Sequence, residues 1–152
     1  MFKRRVQRAR NGTFQLRITD DERDLVATLT AQLRELLVSE STDGTERLFP
    51  PGYANDDERQ TEYELLTHDE LLQSKLAALD VVEQSIAQTT LEEGELTAWM
   101  GAVNSLRLVL GTRLDITEDM DEMEIDDPRA GAFAVYQYLT YLLSEIVDAL
   151  GS

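Results

Sequence analysis

The chain contains no cysteine among its 152 residues. Disulfides, thiol switches and thiolate metal sites are therefore excluded within this sequence. Histidine occurs only once, no apolar run is long enough to cross a membrane, and the first residues lack the apolar segment of a signal peptide. These absences predict a cytoplasmic protein without a cofactor, folded as one domain over residues 1–152 around a single hydrophobic core.

Charge is divided unequally along the chain. Residues 1–17 carry six basic groups and no acid. Residues 18–152 hold the other eight of the 14 basic groups and all 30 acids, hence a net charge of −22. A body of that sign repels nucleic acid and attracts basic protein surfaces. We therefore expect a protein partner, with DNA contact restricted to the N-terminal arm.

Residues 1–18 are predicted to form a basic β-hairpin that turns at Asn11-Gly12, a dipeptide typical of two-residue turns. This register pairs Val6 with Arg17 and leaves Phe14 on the face that docks on the helices. The opposite face then carries the arginines Arg4, Arg8, Arg10 and Arg17. These arginines could contact DNA phosphates. The alternative, which the acidic body favours, is that they neutralise that body or face water.

The remainder, residues 19–152, reads as an acidic helical body. Capping boxes that open at Thr19, Thr67 and Thr90, and the Asp127-Pro128 pair, predict four helices over about 20–38, 68–88, 91–114 and 128–150. Glu92 is an alternative start for the third. Residues 39–64 form a linker and a plug interrupted by Pro50-Pro51. The predicted fold class is mainly α, a four-helix bundle-like core with an N-terminal β-hairpin.

The third predicted helix is the best-specified one. Its apolar residues, Trp99 and Val103 among them, form one stripe at helical spacing, which predicts the buried centre of the bundle. Arg107 lies inside this stripe and Asn104 along its edge. Because a buried guanidinium requires a counter-charge, we expect an ion pair that fixes helix register, with Asp24, Glu35 or Glu83 as the acid. Asn104 should hydrogen-bond across the packing, and a ligand site at Arg107 is the less favoured alternative.

The run from Trp99 to Gly111, WMGAVNSLRLVLG, resembles the signature of the actinobacterial domain-of-unknown-function family two-zero-one-seven. The basic hairpin and the segments 47–53, 67–70 and 135–140 fit the same pattern in the same order. Some members of that family are described as oxidative-stress transcriptional regulators. The resemblance thus implies a transcription-associated regulator that contacts another protein, such as a sigma factor or RNA polymerase. Without cysteine, sensing by a thiol is excluded. The alternative is an adaptor or oligomerisation module linked to proteolysis or sulfur metabolism.

The remaining candidates point to surfaces and not to catalysis. On the last helix, three aromatic residues lie off the core stripe and predict a partner surface or a homodimer contact, unless the hairpin or plug covers them: Phe133, Tyr138 and Tyr141. Residues 115–127 hold eight carboxylates, which lack the spacing of an EF-hand and are typical of a solvated loop. His68 has no second ligand motif beside it. No catalytic set is present, so we predict a non-enzymatic protein without a metal site.

Overall fold

The structure, a computed structural model, describes residues 4–39, Leu48, 58–115 and 124–152, with only the backbone of 58–65. The elements in chain order are β1 (Val6–Arg8), β2 (Phe14–Leu16), α1 (Asp20–Val38), α2 (Glu58–Ser85), β3 (Thr90–Leu91), α3 (Glu93–Arg113) and α4 (Ala130–Leu150). The three strands form one antiparallel sheet in the order β1-β2-β3. A mainly α fold with an N-terminal hairpin confirms the predicted fold class.

The helix starts were predicted with mixed success. At α1 the capping box is formed, since Glu22 N donates to Thr19 Oγ1 over 3.1 Å and Thr19 N donates to Glu22 Oε2 over 2.7 Å. Helix α3 begins after Glu92, the alternative start, because Thr90 belongs to β3. The start predicted at Thr67 is wrong: α2 already runs from Glu58. No proline or glycine interrupts residues 58–66, so nothing in this stretch stops the helix from extending upstream.

The hairpin is confirmed, but its predicted register is off by one residue. Val6 pairs with Leu16 and Arg8 pairs with Phe14, and Ala9 N donates to Thr13 O over 2.8 Å. The loop therefore contains three residues and ends on Gly12, whose φ of +81° is left-handed. A slip of one residue exchanges the faces of a strand. Arg8 accordingly lies on the face of Phe14, not opposite it.

Helix α3 is the buried centre of the molecule, as predicted. It packs against α2 on one side and α4 on the other. Leu96, Trp99 and Val103 are completely buried. The indole Nε1 of Trp99 donates to Ser85 Oγ over 2.8 Å, which satisfies the one polar atom of the largest core side chain. On α1 the deepest positions are Val26, Thr30, Leu33 and Leu37.

Two predicted segments fall mostly outside the described residues. Of the proposed plug, Leu48 is described and lies in the main hydrophobic cluster at 4% exposure. Most of the acidic segment 115–127 is likewise outside. Across the described parts of the chain, no helix combines the length and apolar character needed to span a membrane.

Candidate functional site

Arg5 joins the hairpin to two helices. Its Nε donates to Glu22 Oε1 of α1 over 2.7 Å, and its Nη1 lies 3.6 Å from Glu145 Oε2 of α4. The backbone N–H of Arg5 also donates to Glu145 Oε1 over 2.9 Å. The hydrogen bond to Glu22 is the main cause that raises the pKa of the Arg5 guanidinium above its ordinary value. Arg5 is thus the principal ionic contact between the hairpin and the acidic helices.

Tyr138 lies beneath Arg5, whose guanidinium carbon is 5.3 Å from the centre of the phenol ring. The Tyr138 ring packs against the main hydrophobic cluster. Its hydroxyl is buried and has no hydrogen-bond partner among the described residues. Burial, followed by the negative charge of Glu22, raises the pKa of this hydroxyl well above its ordinary value. A neutral hydroxyl without a hydrogen-bond partner therefore lies where the hairpin packs on the helices.

Arg8 and Arg4 contact the C-terminal end of α4. Arg8 Nη2 donates to the carbonyl of Leu150 over 3.2 Å, a favourable place for a cation because the last carbonyls of a helix lack partners. The Arg8 guanidinium also lies over the Phe14 ring at 4.7 Å. Arg4 Nη1 is 3.9 Å from Asp148 Oδ2, with both side chains more than half exposed. Such an exposed pair contributes little to stability.

Arg10 and Arg17 form no hydrogen bond or ion pair with a helix among the described residues. Arg10 is exposed in the loop. Arg17 is exposed beside the outer surface of the sheet, where its guanidinium donates to the side-chain oxygens of Gln7, over 2.8 Å, and of Gln15. Neither arginine pairs with a carboxylate in the described part of the chain. The structure thus divides the four predicted arginines into two groups. Whether any of them contacts DNA or a partner stays a prediction.

The ion pair predicted for Arg107 is not formed with any of the three acids considered. Arg107 is half-buried; its Nε donates to Thr140 Oγ1 over 3.0 Å, and its guanidinium lies 5.3 Å from the Tyr136 ring centre. Glu83 pairs with Arg34 instead, over 3.1 Å. Arg107 needs no acid because a guanidinium that keeps contact with water and lies over an aromatic ring requires no counter-charge. The prediction for Asn104 is also wrong, because Asn104 is exposed.

Two of the three aromatic residues predicted as a partner surface are covered. Phe133 is 4% exposed and stacks on Tyr136 with ring centres 6.3 Å apart. Tyr138 is held under the hairpin by the contacts described above. Phe133 is covered at the end of α3, where it clusters with Leu110 and Leu114, whereas Tyr138 is covered by the hairpin. Tyr141 is 67% exposed and remains the accessible member of the set.

His68 and the described acids form no metal centre. His68 is exposed and lies inside α2, not at its start. In the ranges that the structure describes, no three histidine or carboxylate side chains converge as metal ligands. Asp127 instead accepts hydrogen bonds from Arg129 N, over 2.8 Å, and from the Arg129 guanidinium. These contacts lower the pKa of Asp127, the side-chain bond from Arg129 being the largest cause.

Sequence reasoning missed two arginines that matter for the site. Arg5 was left out of the predicted basic face, although it makes the shortest of the hairpin's contacts to the helices. In the sequence Glu22 is explained by the α1 capping box, so no pattern identified it or Glu145 as a partner of Arg5. Arg23 was missed as well; its Nη1 donates to the carbonyl of Gln88 over 2.9 Å. No sequence pattern places a guanidinium from α1 at the end of α2.

The fold and these contacts define a mainly helical domain that carries a small basic sheet seated on acidic helices. The chain belongs to DUF2017, a domain of unknown function, whose family profile matches residues 3–150. This match confirms the family predicted from the Trp99 to Gly111 run.

Curated relatives occur in mycobacteria. A Mycobacterium leprae protein provisionally named oxidative stress regulator AosR is 34% identical in an alignment 122 residues long that covers 68% of this chain and 56% of that protein. The oxidative stress regulators AosR of Mycobacterium bovis and Mycobacterium tuberculosis are 38% identical over 73 residues, or 47% of this chain and 34% of theirs. The chain thus spans about half the length, or less, of the relatives it matches. No solved structure matches it.

Proposed function

We propose that this chain is a non-enzymatic regulator of the oxidative-stress response that acts by contacting a basic surface on another protein. Its membership of the family and the names of its mycobacterial relatives support the role of a regulator. The partner class we favour is a sigma factor or RNA polymerase, which makes the chain transcription-associated. Because the chain has no cysteine, the regulation would not depend on a thiol in this protein.

The single observation that carries the proposal is the way the hairpin's charges are used. Arg5 and Arg4 pair with acids of α1 and α4, and Arg8 caps α4. Three of the hairpin's basic groups therefore interact with helices of the same molecule. The body with which they interact, residues 18–152, has a net charge of −22. A surface of this sign accelerates association with basic proteins and slows approach to DNA.

The test is a direct binding measurement with purified components. The full chain should bind a purified sigma factor or RNA polymerase core with an affinity that falls as salt is raised. Two double variants locate the contact: Asp21→Asn with Asp24→Asn on α1, and Asp69→Asn with Glu70→Gln on α2. All four acids are exposed and each pair removes two charges. The double variant whose two acids lie in the contact with the partner should bind more weakly than the other double variant. Absence of binding to both the sigma factor and the polymerase core would contradict the proposal.

A second candidate, contact with DNA, is favoured by Arg10 and Arg17, which are exposed and unpaired with acids among the described residues. Replacing both with serine should lower the slope of log affinity against log salt for duplex DNA by roughly two, since each phosphate contact contributes about 0.9. The matched control is Arg4→Ser, which removes an arginine that faces Asp148. Unchanged retention by Arg10→Ser with Arg17→Ser would exclude the hairpin as a DNA contact.

The alternative role, an adaptor or oligomerisation module, is supported by two exposed apolar residues on α4, Tyr141 at 67% and Val147 at 49%. Large exposed apolar side chains on one helix are typical of contact surfaces. Sedimentation of the wild type against Tyr141→Ser tests this role. A dimer that dissociates in the variant would favour self-association over a separate partner, whereas a wild-type monomer at all concentrations would exclude it.

A further inference from the structure

We propose that the cleft between β2, β3 and the first turns of α1 binds a small oxyanion, the phosphate or carboxylate group of a metabolite. The cleft is open to solvent and has a volume of about 320 Å³. This volume lies at the lower end of the range seen for small-molecule sites. Its polar lining comes from the strands, the loop before β3 and α1: Gln15, Arg17, Arg23, Thr89 and Thr90.

The charge of this lining is opposite to that of the molecule. Two guanidiniums line the cleft and no carboxylate does, although the chain has 30 acids and 14 basic residues. Elsewhere in the described chain Arg5, Arg34 and Arg129 are paired with acids. By contrast, Arg17 and Arg23 form no ion pair with any acid in the described part of the chain. Two cations beside a cleft that has no carboxylate in its lining create a local positive potential that attracts an anion.

Both guanidiniums are held in place by neutral oxygen atoms. Arg23 Nη1 donates to the carbonyls of Ile86 and Gln88, over 2.5 and 2.9 Å, which leaves its Nε and Nη2 hydrogens without a partner among the described residues. Arg17 donates to the side-chain oxygens of Gln7 and Gln15. Neutral acceptors orient a guanidinium without cancelling its charge. The remaining N–H groups are therefore preorganised donors for an oxyanion.

Further donors surround the two cations. The Gln15 oxygen accepts from Arg17, so its amide nitrogen remains a donor. Thr89 and Thr90 add hydroxyl groups, while the Thr89 carbonyl is already used by Leu16 N over 2.8 Å. Such a mixture of charged and neutral donors suits the several lone pairs of a phosphate or carboxylate. The exposed acids Asp20 and Asp21 in the first turn of α1 do not line the cleft but oppose an anion at longer range.

The cleft is formed within this chain, so anion binding does not require the protein partner proposed above. We would titrate the full chain with inorganic phosphate and, separately, with citrate, each against sodium chloride at equal ionic strength. Saturable binding measured by calorimetry, with a rise in thermal midpoint above the chloride control, is the expected result for at least one anion. Binding of phosphate alone or of citrate alone would identify the class of group recognised.

Three variants make the experiment specific. Arg17→Gln should weaken anion binding about tenfold, the loss expected for one charge-assisted hydrogen bond. It leaves the fold intact because Arg17 is exposed and contacts only the exposed Gln7 and Gln15 side chains and the Arg4 carbonyl. Arg10→Gln removes the same charge outside the cleft and should bind as the wild type does. Asp20→Asn with Asp21→Asn should bind more tightly, because it removes two nearby negative charges.

Two results would overturn the proposal. One is that neither anion binds beyond the chloride control. The other is that Arg10→Gln loses as much affinity as Arg17→Gln, because binding would then reflect the general charge of the hairpin and not the cleft. A DNA role predicts weaker DNA binding when Arg10 is replaced, whereas the cleft predicts unchanged anion binding. Because anion binding and partner binding are measured in separate experiments, the failure of either proposal can be recognised without the other.

Discussion

The base and the outer surface of the hairpin use the same residue type in opposite ways. At the base, Arg5 lies between Glu22 and Glu145 and over Tyr138, with both carboxylates no more than 20% exposed. On the outer surface, Arg17 contacts only neutral oxygens and Arg10 is exposed in the loop. The basic arm of the sequence is therefore not one surface. The helices below determine which arginines stabilise the fold and which remain available to a ligand.

The largest effect should come from the apolar residue that packs the hairpin against the core. Phe14 is completely buried on the inner face of β2 and supports the Arg8 guanidinium. Phe14→Ala should lower the free energy of unfolding by about 3–5 kcal/mol, because it leaves a cavity where the sheet meets the core. Urea denaturation measures this loss. The neighbouring exposed residue provides the control, since Gln15→Ala should be nearly neutral.

A smaller loss of stability is expected when the arginine at the base is replaced, compared with an arginine of the outer surface. Arg5→Met keeps apolar volume over Tyr138 but leaves Glu22 and Glu145 without their cation. Since the Arg5 side chain is 39% exposed and partly screened, we expect a loss of about 1–2 kcal/mol, the lower part of the range for charged hydrogen bonds. The loss should shrink at high salt. Arg10→Met is the matched control and should leave the thermal midpoint unchanged. Equal losses would remove the distinction between base and outer surface.

Much of the fold could be predicted because its signals are local. Thr19 and Glu22 specify the start of α1 by a pair of hydrogen bonds within four residues. The buried stripe through Trp99 follows from helical spacing alone. The same local reasoning was wrong at Thr67, where a capping box lies inside α2. A capping box permits a helix to start but does not prevent one from passing through.

The site could not be predicted to the same extent because it depends on single-residue register and on long-range contacts. Asn11-Gly12 suits both a two-residue turn and a three-residue loop that ends on a left-handed glycine, and the second is formed. That difference moves Arg8 to the inner face. The contact of Arg5 with Glu145 joins residues 140 positions apart. No periodicity in the sequence encodes such a pair.

The smallest effect should be a gain in stability at the base. The Tyr138 hydroxyl is buried there and has no partner among the described residues. Tyr138→Phe keeps the ring under Arg5 and removes an unsatisfied polar atom, so it should stabilise the fold by about 1 kcal/mol at neutral pH, measured by urea denaturation. The exposed Tyr141→Phe is the matched control. A clear loss in Tyr138→Phe would mean that the hydroxyl is satisfied, and that the base is held by a hydrogen bond as well as by charge.

The same hydroxyl gives the base an alkaline pH dependence. Burial raises the pKa of Tyr138 in the folded state above its ordinary value of 10.0. Above that ordinary value the unfolded chain loses this proton while the folded chain retains it, so stability falls as pH rises further. The wild type should therefore lose stability more steeply than Tyr138→Phe above about pH 10. Tyr141→Phe should follow the wild type. Parallel curves for all three proteins would show that the Tyr138 hydroxyl titrates alike in the folded and unfolded states, contrary to its placement beneath Arg5.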